Sequence, residues 1–173
     1  SDEKNRCVHF AGDRMNARLP FLKDKYSISM WIWNGMPNDA REVSGWFYSR
    51  GPNNGLSAAS EHLGIGGTAT SPGRAIYQSG ASADHVVVGK TEIPRWTWTH
   101  FVLVKDGSKV RIHLNGTSEP ELETKVDNNA TLPVNCFLGG RCDNASNWEG
   151  RMDEVAVFNR VLSPSEIDSL GKP

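Results

Sequence analysis

The side chains best suited to chemistry in this sequence are Arg50, His62, Arg141, Asp143 and Asn144. Each stands in a polar loop or at the end of an apolar run. Guanidinium, imidazole, carboxylate and amide groups are planar, and such groups make paired hydrogen bonds to adjacent hydroxyls. Arg50 and Arg141 also suit a carboxylate or a sulfate, by two-pronged pairing. The plain alternative for any one of them is a surface salt bridge. Trp96 adds a flat indole with one N–H donor. Asp143, Asn144, Asn147 and Glu149 make an oxygen-rich run that either lines a ligand site or is an ordinary solvated loop. The five histidines are dispersed, and His100 and His113 are placed to face each other as a structural pair across a hairpin. Of the three cysteines, Cys136 and Cys142 either pair across Gly139-Gly140 or stay packed thiols, and Cys7 is left over. No Cys-x-x-Cys unit, Gly-x-Ser-x-Gly elbow, His-Glu-x-x-His run or P-loop occurs.

Those groups need a scaffold, and the totals bound it. A chain of 173 residues makes one domain that buries about 70% of its unfolded surface. Residues 1–173 therefore read as a single unit with no linker. Lys plus Arg is 19 against 20 Asp plus Glu, so the net charge is -1. That balance argues against nucleic acid as a partner. No run is long and apolar enough to insert into a membrane. The N-terminus is polar, lacks a signal-peptide pattern and starts without Met, so the chain reads as a mature or excised piece.

Glycine and proline punctuate short runs of period-two alternation, the pattern of an all-β sandwich. The clearest pair of runs is 98–105 and 109–114, joined through Asp106-Gly107, a turn that tolerates positive φ. In the second run Val110, Ile112 and Leu114 share the buried face, and Lys109, Arg111 and His113 the other. Further strands are expected over residues 7–10, 26–33, 45–49, 63–65, 74–78, 86–88, 136–139 and 151–158. Ser163-Pro164-Ser165-Glu166 offers an N-cap, a proline at the first helical position and an early acid, and so predicts one short C-terminal helix. Trp31 and Trp98, at strand centres, are expected in the core. Trp148 is also assigned there, and Trp96 is the better exposed candidate.

Three stretches carry a resemblance. Phe10-Ala-Gly-Asp13 leads to a strand ending in Trp31-Ile-Trp33. Trp98 to Gly107 continues to His113-Leu-Asn-Gly116. Phe137-Leu-Gly-Gly-Arg141 precedes Trp148-Glu-Gly-Arg-Met-Asp153-Glu154-Val-Ala-Val-Phe158 and Leu162-Ser-Pro-Ser-Glu166-Ile167. In order and nearly end to end, they resemble the concanavalin A-like lectin/glucanase superfamily, in its bacterial laminin-G-like branch. The resemblance implies a jelly-roll β-sandwich of two curved antiparallel sheets, excised from a larger exported protein. It also implies a calcium ion tying the first strand to the last, through the Gly12 carbonyl, Asp13 and Asp153. The alternative is that Asp13 caps a turn and Asp153 pairs with a basic neighbour.

Glucanases on this fold carry a Glu-x-Asp-x-x-Glu run. Glu166 and Asp168 are spaced for its start, but Gly171 stands where the last acid belongs. The expectation is a non-catalytic, lectin-like carbohydrate-binding module, calcium-stabilised, outside the cell, in the periplasm or at the cell surface. Its partner is a polysaccharide or other glycan. The alternative is a protein-interaction or adhesion domain. A hydrolase or lyase with a non-standard site ranks below both. Asn115, Asn129 and Asn144 head glycosylation sequons, which matter only in a eukaryotic secretory host.

Overall fold

Alternation shapes the strands. In β3 (Lys25–Asn34), Tyr26, Ile28, Met30 and Ile32 enter the core, while Ser27, Ser29, Trp31 and Trp33 take the opposite face. The computed structural model describes residues 6–20, 22–69, 71–127 and 135–172. The polar terminus at 1–5 and the Asn129 sequon lie outside them.

Two six-stranded antiparallel sheets stack as a jelly-roll sandwich. The first runs β1 (Val8–Ala11), β12 (Glu149–Phe158), β3, β8 (Trp98–Asp106), β9 (Lys109–Leu114), β10 (Leu122–Lys125). The second runs β2 (Met15–Arg18), β11 (Asn135–Leu138), β4 (Val43–Arg50), β5 (Glu61–Gly66), β6 (Arg74–Ser79), β7 (Val86–Glu92). The core between them joins Ile28, Met30, Phe101 and Ile112 to Phe47, Leu63, Ile65 and Leu138. Each such side chain, fully buried, contributes about 1.5–3 kcal/mol.

The Asp106-Gly107 hairpin forms as expected, with Gly107 at φ 63. Val110, Ile112 and Leu114 face inward. His100 and His113 do not pair, however. His100 stands opposite Asn115 and His113 opposite Val102, a two-residue offset. His100 Nε2 meets Ser29 Oγ at 2.8 Å, and His113 Nδ1 meets the Thr117 carbonyl at 3.0 Å.

Trp148 closes one end of the core. Its Nε1–H donates to Asn34 Oδ1 at 3.1 Å, and its ring meets Phe47 edge-on at 5.9 Å. Gly45 and Gly150 make the room: a Cβ on Gly45 would sit 2.6 Å from Trp148 Cα, and one on Gly150 would run into Trp148 Cζ2. Trp31 and Trp98 correct the expectation. They share the parity of Ser27 and Ser29 and of His100, which turns them to the outer face of the first sheet. Trp31 is half-buried, and Trp98 is 38% exposed.

The helix α1 (Pro164–Leu170) starts as the sequence implies. Ser163 and Glu166 form a reciprocal capping box, with Pro164 in the first turn. Ile167 and Leu162 pack on Val102 and Val104. The helix thus covers one half of the first sheet's outer face.

Candidate functional site

A bulge in β4 decides which side chains reach the outer face of the second sheet. Trp46 pairs with Gly64 and Tyr48 with Leu63, so two residues of β4 span one of β5. Phe47 and Tyr48 both enter the core, and every later residue changes face. Ser49 therefore points outward and Arg50 inward. Across the sheet, Ser49 pairs with Phe137 and with His62, and His62 pairs with Gln78. These four form one row on the outer face, next to Trp46 and Ile76.

Residues 139–148 return over this row. The Trp46 amide donates to the Ser146 carbonyl at 2.9 Å, and the Cys142 amide to Ser49 Oγ at 2.9 Å. The Arg141 guanidinium lies 5.7 Å above the Trp46 ring. It grips both carboxylate oxygens of Asp143 at 2.8 Å and reaches Gln78 Oε1 at 3.5 Å. Arg14, stacked 4.4 Å over Phe137, donates to the Arg141 and Cys142 carbonyls and to Oδ1 of Asn53 and Asn54. Asn147 Nδ2 ties Asn144 Oδ1 at 2.9 Å to the Gly12 carbonyl at 3.2 Å.

His62 is fully buried, and its ring meets Trp46 edge-on at 5.7 Å. Burial and then the Arg141 charge push its pKa down to about 3, against the opposing pull of Asp143. The imidazole is neutral. Ser49 Oγ accepts from the Cys142 amide and meets His62 Nδ1 at 2.8 Å. The Gly80 backbone interaction on the other side of the ring is the basis for assigning the ring proton to Nε2. Nε2 faces the Gly80 carbonyl, which raises the pKa slightly, but the geometry falls short of a hydrogen bond. Trp46 Nε1 is likewise buried without a partner among the described residues. Burial pushes the Asp143 carboxyl up, but the Arg141 bonds, the Ala145 amide and the Arg141 charge outweigh it and hold it below the usual range.

The structure thus brings together His62, Arg141 and Asp143, with Asn144 on their rim. It does not bring Arg50 to them. Arg50 is fully buried between the sheets, 3.9 Å from Glu61, whose carboxylate also accepts from the hydroxyls of Tyr26, Tyr48 and Tyr77. Trp96 is also apart. It is 62% exposed at φ 60, with the Arg95 guanidinium 4.3 Å over its ring and its amide on the Asn34 carbonyl. Asn147 belongs to the rim, while Glu149 points away in β12, opposite Ala11. Cys136 and Cys142 are free thiols on opposite faces of the sheet, so no bridge joins them.

The calcium clip does not fit as drawn. Ala11 pairs with Glu149 and Val8 with Met152, so Asp13 and Asp153 lie beyond opposite ends of β1. The length of β1, about 10 Å from Val8 to Ala11, stands between the two positions. Each carboxylate also accepts from the next residue's amide. Among the described residues no group of three His, Cys, Asp or Glu side chains gathers to hold a metal.

Residues 13–168 match the family model described as the concanavalin A-like lectin/glucanases superfamily. The chain belongs to this superfamily. Among similar solved structures is domain 4 of an extracellular GH43 arabinanase from Geobacillus stearothermophilus, in complex with arabinotriose. It has 19% identity and a TM-score of 0.67 over 98% of this chain and 78% of that one. A heptameric SAP-like pentraxin from Limulus polyphemus has 16% identity and a TM-score of 0.68, over 95% and 80%. The Ruminococcus gnavus sialidase CBM40 bound to α2,3-sialyllactose has 14% identity and a TM-score of 0.63, over 93% and 99%. At these identities the likeness is one of fold. No curated protein matches by sequence. No described helix is long and apolar enough to cross a membrane.

Trp46, Gln78 and Arg14 are the site residues that sequence reasoning missed. The parity of Gln78 with Ile76, against buried Tyr77, marks an outer position. Nothing local marks Arg14.

Proposed function

We propose that this chain is a non-catalytic glycan-binding module of a larger exported protein, working outside the cell or at its surface. Its ligand is taken on the outer face of the second sheet, bounded by Arg14, residues 51–55 and residues 139–147. The observation that carries this reading is that Trp46 Nε1 and His62 Nε2, beneath the Arg141–Asp143 pair, are buried without a hydrogen-bond partner among the described residues. Each unmet donor costs about 1–3 kcal/mol, which an acceptor oxygen would recover. A sugar offers such oxygens as hydroxyls or a carboxylate. Arg141 and Gln78 add donors, and Asp143 an acceptor. A ligand that recruits the guanidinium uncovers the Trp46 ring beneath it. Neighbours of this fold solved with arabinotriose and sialyllactose support the class of ligand. The reading itself calls on no calcium. An ion on either acid alone would be a separate, structural one.

A protein partner is the second reading. It is favoured by an apolar pocket of about 240 Å³ at the seam between β1 and β2, where Val8, Met15 and Val155 are exposed. The test is a glycan panel probed with the wild type, Arg141→Ala and Trp46→Phe, each with and without EDTA. Binding that both variants lose, and that survives chelation, bears out the site. Binding untouched by either variant moves the site elsewhere. No binding to any glycan overturns the reading in favour of a protein partner.

A further inference from the structure

The first sheet carries a different surface, on the half of its outer face that α1 leaves open. Register brings four residues of four adjacent strands into one row there. His9 pairs with Arg151, Arg151 with Trp33, and Trp33 with Trp98. The next row on the same face is Asp153, Trp31, His100. The Arg151 guanidinium lies 4.8 Å over the Trp33 ring, and the His100 ring lies 5.1 Å from Trp31.

Three indoles in the middle of a sheet face are costly to leave in water, and Trp98 remains 38% exposed. The other half of the same face shows how the fold treats apolar groups it means to hide, with Val102 and Val104 sealed under Leu162 and Ile167. The Trp33–Trp98 half has no such cover among the described residues. Along β12 that face carries Glu149, Arg151 and Asp153, one cation between two acids. Neither Arg151 nor Asp153 has an ion-pair partner among the described residues.

We propose that Trp33 and Trp98, flanked by Arg151 and Asp153, form a second binding surface for neutral hexopyranose units. A flat indole pair suits the C–H face of a sugar ring. A guanidinium donor between two carboxylate acceptors suits hydroxyls, which both donate and accept, better than a phosphate or a sugar acid. This surface lies on the opposite side of the sandwich from the Arg141 site, so it stands or falls independently of it.

The test uses the indole N–H signals of the six tryptophans in ¹⁵N-labelled protein, assigned by Trp→Phe variants. Neutral gluco-, manno- and galacto-hexaoses are titrated in one at a time. The expected result is a shift of the Trp33 and Trp98 signals with at least one of them. Trp98→Thr, a strand-compatible change, should abolish the Trp33 shift, and Arg151→Gln should weaken it severalfold. Arg141→Ala should leave it intact. Shifts confined to Trp46 would overturn this surface while keeping the Arg141 site. Silence of both signals with all three sugars would overturn it outright, as would shifts seen only with anionic vesicles.

Discussion

The protonation of His62 offers a test of the site's burial that needs no ligand. An unfolded imidazole titrates near 6.5 and the folded His62 near about 3. Between those values only the unfolded chain takes up the proton, so acid favours unfolding. The His62 contribution is fully present above about pH 6.5 and is lost as pH falls toward about 3, at about 1.4 kcal/mol per pH unit. From about pH 7.5 to about pH 5 the loss comes to about 2 kcal/mol. His100, pushed down to about 4 by burial, adds a similar loss over the same range. The informative quantity is therefore a difference between variants. His62→Gln removes the titration while leaving an acceptor for Ser49. Urea unfolding at the two pH values should show the wild type losing about 2 kcal/mol more than the variant. Equal losses would refute the argument that His62 is buried and neutral. The same neutrality makes glycan binding flat from about pH 5 to about pH 8, and a binding midpoint near 6.5 would place His62 in water.

Glu61→Leu strips the acceptor from three buried tyrosine hydroxyls and should cost about 3–5 kcal/mol in urea. In the Arg50→Met/Glu61→Leu double variant the cost should fall below the sum of the single costs. Ser163→Ala removes the helix N-cap and should lower stability by about 1 kcal/mol, read as a drop in Tm. Asp13→Ala and Asp153→Ala should act additively to within about 0.5 kcal/mol, with or without added calcium. A larger coupling that appears only with calcium would restore the clip.

The fold was legible because its signals are local. Alternation gave β3 and β9, Asp106-Gly107 gave the hairpin, and Ser163-Pro164 gave the helix start. The site was legible in part. His62, Arg141 and Asp143 were found from their side-chain chemistry, and they converge because loop 139–148 folds back over β5. Arg50 was misplaced because one extra residue in β4 reverses the parity of the strand's end, and a bulge leaves no mark in composition. Trp31 was misplaced for a reason the sequence did contain. Ser27 and Ser29 already declare the outer face, and Trp31 and Trp33 follow in phase. Trp98 was harder, since Val102 and Val104 on the same face are hidden by α1, which blurs the alternation of β8.

The misplaced Arg50 also explains how the site is held. Glu61 and His62 are neighbours in β5 and point to opposite faces. On the core side, Glu61 Oε1 accepts from Tyr26 at 2.7 Å and from Tyr48 at 2.8 Å, and Oε2 from Tyr77 at 3.3 Å. Those hydroxyls come from β3 in the first sheet and from β4 and β6 on either side of β5 in the second. One carboxylate therefore links both sheets and fixes β5 against both its neighbours. A one-residue slip of β5 would drive His62 into the apolar core and take Glu61 away from all three hydroxyls. Apolar residues of the same volume would fill the core as well, but they would not distinguish that slipped register so sharply. On this argument the buried charge serves specificity more than stability. What it specifies is the outward row of Ser49, His62 and Gln78 on which the Arg141 loop is laid.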